Sequence, residues 1–140
     1  MLEALSCIAL AVYFEARGEP LAGQLAVAQV IINRVNDKSY PDNVCDVIRQ
    51  GPVSKRTGQP IRHRCQFSFW CDGKPERVEN YDAWQTAVRV AEMAVWLNKS
   101  DHPVDVSEGA TLYHSINVSP PWRYTVRTTV RIGNHIFYRR

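Results

Sequence analysis

The 140-residue sequence contains no run of 18 or more uncharged apolar residues, which excludes a membrane-spanning helix. Cysteine is scarce, and Cys7, Cys45, Cys65 and Cys71 are too few for a disulfide scaffold. Histidine is scarce as well. His63, His102, His114 and His135 are scattered without ligand spacing, which argues against a His-metal nuclease. Cys65 and Cys71, with His63 nearby, lack the C-x2-4-C spacing and the second ligand pair of a zinc site. No metal and no cofactor is therefore expected. Repeats and low-complexity tracts are absent, and 45% hydrophobic residues suffice for a packed core, which excludes disorder.

Acids are missing from two stretches. Between Arg49 and Arg64 the cations Arg49, Lys55, Arg56, Arg62 and Arg64 have no acid among them. From Ile116 to the end, Arg123, Arg127, Arg131, Arg139 and Arg140 repeat the pattern. A net charge of +3 thus conceals two basic zones suited to a polyanion. No helix-turn-helix, RNA-binding sheet motif or zinc finger accompanies them, so nucleic acid is not the expected partner. The N-terminal stretch MLEALSCIALAVYF lacks a cationic lead, with Glu3 in its place, and no A-x-A site follows. It reads as a core helix instead of a cleavable signal peptide, and synthesis in the cytoplasm is expected.

One domain spanning 1–140 fits this length. Residues 2–16 place Leu5, Ile8, Ala9 and Val12 at helical spacing with Leu10, Ala11 and Phe14 on other sides, the pattern of a buried helix. Gly18 can take the left-handed cap, and Pro20 disfavours further helix. Further helices are predicted at about 22–35, 42–49 and 82–97, with a basic loop over 51–64. Strands are predicted at 110–118, 124–132 and 135–138, with a turn at Pro120-Pro121-Trp122. The expected class is α+β, mainly α, with a small C-terminal β section. Cys7 reads as a buried core residue. A disulfide among Cys45, Cys65 and Cys71 is expected if the protein works outside a reducing compartment, and the spacing leaves the pair open.

Glu15 is the most informative residue. Its i−3, i−4 and i−7 neighbours are Val12, Ala11 and Ile8, so it shares a face with the core. Burial disfavours the carboxylate and raises the pKa, which suits a general acid that protonates a leaving oxygen. The competing reading is an ion pair with Arg17 or Arg34, or a half-exposed position where the helix frays. Glu19 lies beyond the helix break and reads as a structural residue that closes the turn or bonds the start of the second helix.

The stretch AVYFEARGEPLAGQLAVAQVIINRV (11–35) resembles the opening motif of the SleB-type cell-wall hydrolases, which include spore-cortex lytic enzymes and phage relatives. The resemblance continues through YPDNVCDVI (40–48), CQFSFWCDGKP (65–75), the ATLYH segment ending at His114, Trp122 and IGNHIFY (132–138). It implies a lysozyme-like fold, cleavage of the MurNAc–GlcNAc β-1,4 bond of peptidoglycan, and a catalytic acid at Glu15. Without a peptidoglycan-binding repeat before Met1, the chain is expected to resemble a phage endolysin or a bacterial cell-wall lytic enzyme that acts at the wall, released through a holin-type route in the phage case. A monomer is expected. Gln66, Phe67, Ser68 and Phe69, with Tyr113, His114 and Trp122, supply the aromatic faces and polar groups that sugar binding requires. Tyr113 and His114 should point to opposite faces of their strand, so only one of them is expected to meet substrate, and His135 reads as structural.

Two chemistries follow. A lysozyme needs a second carboxylate about 5–5.5 Å away for retention or about 6.5–9.5 Å for inversion. A lytic transglycosylase manages with one acid. Asp72 reads as part of an Asp-Gly turn and Glu108 as a loop residue, so the sequence offers no convincing second acid. The resemblance also points to transglycosylation. The basic zones are expected to attract the anionic envelope or the wall.

Overall fold

The computed structural model describes residues 2–140. Four helices come first: α1 (Leu2–Ala16), α2 (Leu21–Val35), α3 (Val44–Ile48) and α4 (Tyr81–Lys99). Three strands follow: β1 (Leu112–Ser115), β2 (Arg127–Ile132) and β3 (His135–Arg139). The mainly helical α+β class expected from the sequence is the one observed. Among the described residues, no helix is long and apolar enough to cross a membrane.

The helix α1 is buried because nearly every side of it is apolar or small. Ile8, Ala9, Ala11 and Val12 are fully enclosed, and their small side chains let α2, α3 and α4 approach closely. The helix stops where Gly18 adopts φ +93°, a conformation that glycine accepts without strain, and the Glu19 amide bonds to Ala16 O at 2.9 Å. Asn43 and Asn80 cap α3 and α4 by accepting from Asp46 N and Ala83 N, each at 3.0 Å. These caps explain why α3 starts later than the predicted 42 and α4 begins at Tyr81.

The sheet is antiparallel throughout, in the order β1-β3-β2. Its strands are shorter than predicted at β1 and β2. Residues 116–118 leave the ladder after Ile116 N bonds to Asn134 O, and Pro121–Tyr124 form a 3-10 turn. A register shift in β2 between Thr128 and Val130 frees Thr129, whose hydroxyl donates to Ser107 O at 2.7 Å.

A second apolar cluster joins Ala16, Ala26, Val27 and Val30 to Ala110 and Phe137, which seats the sheet on the junction of α1 and α2. Two polar residues on α2 guide the chain into β1. Gln29 donates to Val104 O and accepts from Val106 N, at 2.7 and 2.9 Å. Asn33 donates to Ala110 O and to Asp105 Oδ2, both at 2.9 Å. Asp105 also accepts from the Ser107 amide and hydroxyl and from Gly109 N. The entry to β1 is thus fixed by partly buried hydrogen bonds.

All four cysteines are paired, Cys7 with Cys45 and Cys65 with Cys71. This corrects the reading of Cys7 as a lone core residue. Cys7 is buried, but the packing of α3 on α1 brings its Cα within 5.5 Å of that of Cys45, inside the range a disulfide spans.

Candidate active site

A cleft of about 620 Å³ opens between the C-terminal end of α1, the residues at 66–67 and β1. The break at Gly18 leaves Glu15, one residue from the end of α1, facing it. Around Glu15 stand Gln66, Phe67, Tyr113, His114 and Trp122, so five of the seven predicted sugar-binding residues share one cavity. Ser68 and Phe69 do not line it. Phe69 is buried and its ring stacks on Phe14 at 5.0 Å, so it belongs to the core. Ser68 opens a short 3-10 helix at the surface.

Glu15 is half-buried and has no ion pair with Arg17 or Arg34 among the described residues. Among the described residues its one side-chain hydrogen bond comes from Tyr113, whose hydroxyl donates to Oε2 at 3.3 Å. Burial pushes the Glu15 carboxyl up from its ordinary value, and the Tyr113 bond opposes that shift in part. Tyr113 itself is held well above the usual tyrosine range, first by burial and then by the neighbouring Glu15 charge. It therefore remains a donor at neutral pH.

Strand alternation sends Tyr113 and His114 to opposite faces as expected, but both line the cleft instead of only one. Tyr113 stacks on Phe137 and meets His135 edge-on at 5.1 Å. His114 lies on the other face, stacked on Tyr138 and edge-on to Trp122. Both ring nitrogens of His114 are engaged, Nδ1 with Ser115 O and Nε2 with the Tyr138 hydroxyl, each at 2.7 Å. A carbonyl only accepts, so Nδ1 carries a proton, and Nε2 is held against the Tyr138 hydroxyl. His114 is thereby fixed as a wall of the cleft and is not a free base.

Glu19, Arg34, Asn134 and His135 also line the cleft, and sequence reasoning did not place them there. Glu19 Oε1 accepts from Asn134 N at 2.7 Å and Oε2 from Asn134 Nδ2 at 3.1 Å. The expected structural role of Glu19 is observed, with the β2–β3 turn as its target instead of the start of α2. His135 Nδ1 lies 3.9 Å from Glu19, and burial holds His135 below its ordinary pKa while the Glu19 charge partly restores it. Only the periodicity of the EARGE segment could have hinted at Glu19, because its partners lie 115 residues away. No group of three or more potential metal ligands occurs among the described residues.

Residues 18–138 match the sequence pattern of a family described as cell wall hydrolase. The spore cortex-lytic enzyme of Halalkalibacterium halodurans is 36% identical over 136 residues, which is 95% of this chain and 34% of that protein. The Bacillus subtilis spore cortex-lytic enzyme is 33% identical, over 93% of this chain and 35% of that protein. The chain thus spans about a third of the length of these curated relatives. Among solved structures, the catalytic domain of the germination-specific lytic transglycosylase SleB from Bacillus anthracis is similar. It superimposes with a TM-score of 0.73 at 30% identity, covering 99% of this chain and 96% of that one. The Bacillus cereus SleB catalytic domain gives 0.67 at 28% identity, with 99% and 91% covered. The lysozyme-like fold expected from the sequence is the fold of these neighbours.

Proposed function

Because the chain belongs to the cell wall hydrolase family, we propose that it cleaves the glycan strands of peptidoglycan as a lytic transglycosylase, with Glu15 as acid and then base. The observation that carries this reading is a carboxyl in an open cleft whose pKa burial raises, with the Tyr113 hydroxyl donating to its oxygen. The relatives support the substrate and the reaction class: one similar structure is described as a lytic transglycosylase.

Glu15 donates its proton to the glycosidic oxygen that leaves as the 4-hydroxyl of N-acetylglucosamine. The C1–O bond of the muramoyl residue breaks as positive charge spreads over C1 and the ring oxygen, and the acetamido carbonyl stabilises C1. The Glu15 carboxylate, now accepting from Tyr113, removes the proton from the muramoyl 6-hydroxyl. That oxygen bonds to C1, which closes a 1,6-anhydro ring and returns the proton to Glu15. No water is consumed. Glu19, the other carboxyl of the cleft, is committed to Asn134 through both oxygens, which favours a one-acid route over hydrolysis by a carboxylate pair.

Gln66, Phe67, Tyr113, His114 and Trp122 form the sugar-facing walls in this reading. The basic zones, with Lys55, Arg56, Arg62, Arg64, Arg127, Arg131, Arg139 and Arg140 all exposed, add a general attraction to the anionic envelope. Clearing of a sacculus suspension by the wild-type protein, with none by Glu15→Gln of equal thermal stability, is the expected result. A gel shift on DNA at low salt without clearing of sacculi would transfer the assignment to nucleic-acid binding.

A further inference from the structure

Arg34 is a charge without a counter-charge. It is 5% exposed, it lines the cleft, and among the described residues it takes part in no ion pair. Among the described residues, only Nε of its three side-chain nitrogens has a partner, donating to Thr111 O at 2.8 Å. Nη1 is buried with no acceptor. Its charge is offset by two aromatic faces, with the guanidinium carbon 5.0 Å from the Tyr40 ring centre and 5.4 Å from that of Phe67. The Tyr40 hydroxyl is likewise buried without a partner.

An ionised group taken out of water is costly unless an opposite charge or several hydrogen bonds meet it. Neither cleft acid supplies that charge. Glu15 forms no ion pair among the described residues, and Glu19 bonds Asn134. A guanidinium held at Nε, with Nη1 left unpartnered, retains the planar donor geometry that suits a carboxylate. The glycan backbone offers hydroxyls and acetamides, which are neutral. Its anionic groups hang from the muramoyl residue, as the lactyl carboxyl or the carboxylates of a stem peptide.

We propose that Arg34 is the carboxylate receptor of the cleft and selects strands by an anionic group on the muramoyl side chain. This rests on the glycan-cleaving reading above and adds to it the feature of the substrate that is recognised. Arg34 acts on binding and alignment, and the bond-breaking steps remain with Glu15.

The test uses the Glu15→Gln protein, which keeps Arg34 and does not turn over. Calorimetry measures its affinity for the tetrasaccharide (GlcNAc–MurNAc)2 with free lactyl carboxylates, for its lactyl methylamide, and for the peptide-bearing tetrasaccharide with its peptide carboxylates free or amidated. One carboxylate should bind about tenfold more tightly than its own amide, the size expected of a charge-assisted hydrogen bond. The pair that shows the difference identifies the source as lactyl or peptide. Adding Arg34→Gln should reduce that ratio to about one, and Arg34→Lys should retain part of it. Should the Arg34 variants fail to fold, the two amide comparisons still decide. Equal affinity within both pairs overturns the proposal and leaves glycan binding intact. Failure of all four ligands to bind the folded protein overturns the functional reading on which it rests.

Discussion

The Tyr113 hydroxyl reaches Glu15 Oε2 at 3.3 Å across 98 positions of sequence, so the β section completes a site that α1 begins. The bond favours the ionised carboxylate and opposes the effect of burial. Tyr113→Phe therefore raises the Glu15 pKa further. Because the acid must be protonated to act, the alkaline limb of the pH–activity profile moves to higher pH. The maximal rate falls about tenfold as a hydrogen bond to a charged group is lost. A pH profile of glycan cleavage for the two proteins checks both effects.

Glu15 also leaves a signature in stability. A carboxyl whose folded pKa lies above its unfolded value contributes stability fully below the unfolded pKa and loses it as pH rises through the folded one. Glu15→Gln cannot ionise, so it is expected to unfold about 2–4 °C higher than wild type at neutral pH. That gap should vanish in acid. Thermal unfolding at pH 4 and pH 7.5 measures it.

Glu19 anchors the β2–β3 turn through Asn134 N and Nδ2. Replacing it with alanine leaves those donors to water and should cost about 1–2 kcal/mol, read as a lower urea midpoint at unchanged slope. Because the Glu19 charge partly sustains the His135 pKa, the variant's His135 should titrate at lower pH than wild type in an NMR titration.

The two disulfides close loops of different length. Cys7–Cys45 spans 38 positions and Cys65–Cys71 spans 6. Chain-entropy arguments give about 4 kcal/mol for the first and about 2 kcal/mol for the second. The double variants Cys7→Ala/Cys45→Ala and Cys65→Ala/Cys71→Ala should follow that order in chemical denaturation. The second pair brackets Gln66 and Phe67 of the cleft wall, so its loss should also raise KM on sacculi.

The helical half of the fold was legible because its signals are local. Apolar periodicity marked α1 and α2, and Gly18 with Pro20 marked where α1 stops. Glu15 was legible for the same reason, since a carboxyl on an apolar face can be counted from its neighbours. Arg34 was not. Its meaning depends on Thr111, Tyr40 and Phe67, none of which is near it in helical spacing. Phe69 carried the same aromatic signal as Phe67, and only the packing against Phe14 separates core from cleft. Cys7 escaped pairing because the contact of α3 on α1 is tertiary.

The exposed basic zones predict a salt effect that depends on substrate. Activity on intact sacculi should decline as ionic strength rises beyond about 0.15 M, where the screening length falls below about 8 Å. Activity on short soluble glycans should change little. Turbidity and oligosaccharide assays over the same salt series separate the two.

The most direct measurement is mass spectrometry of the ends released from purified sacculi by wild type and by Glu15→Gln. Wild type should yield 1,6-anhydromuramoyl ends, and the folded variant should release about a hundredfold fewer fragments or less. Reducing muramic ends from the wild type, or undiminished anhydro product from Glu15→Gln, would contradict the account.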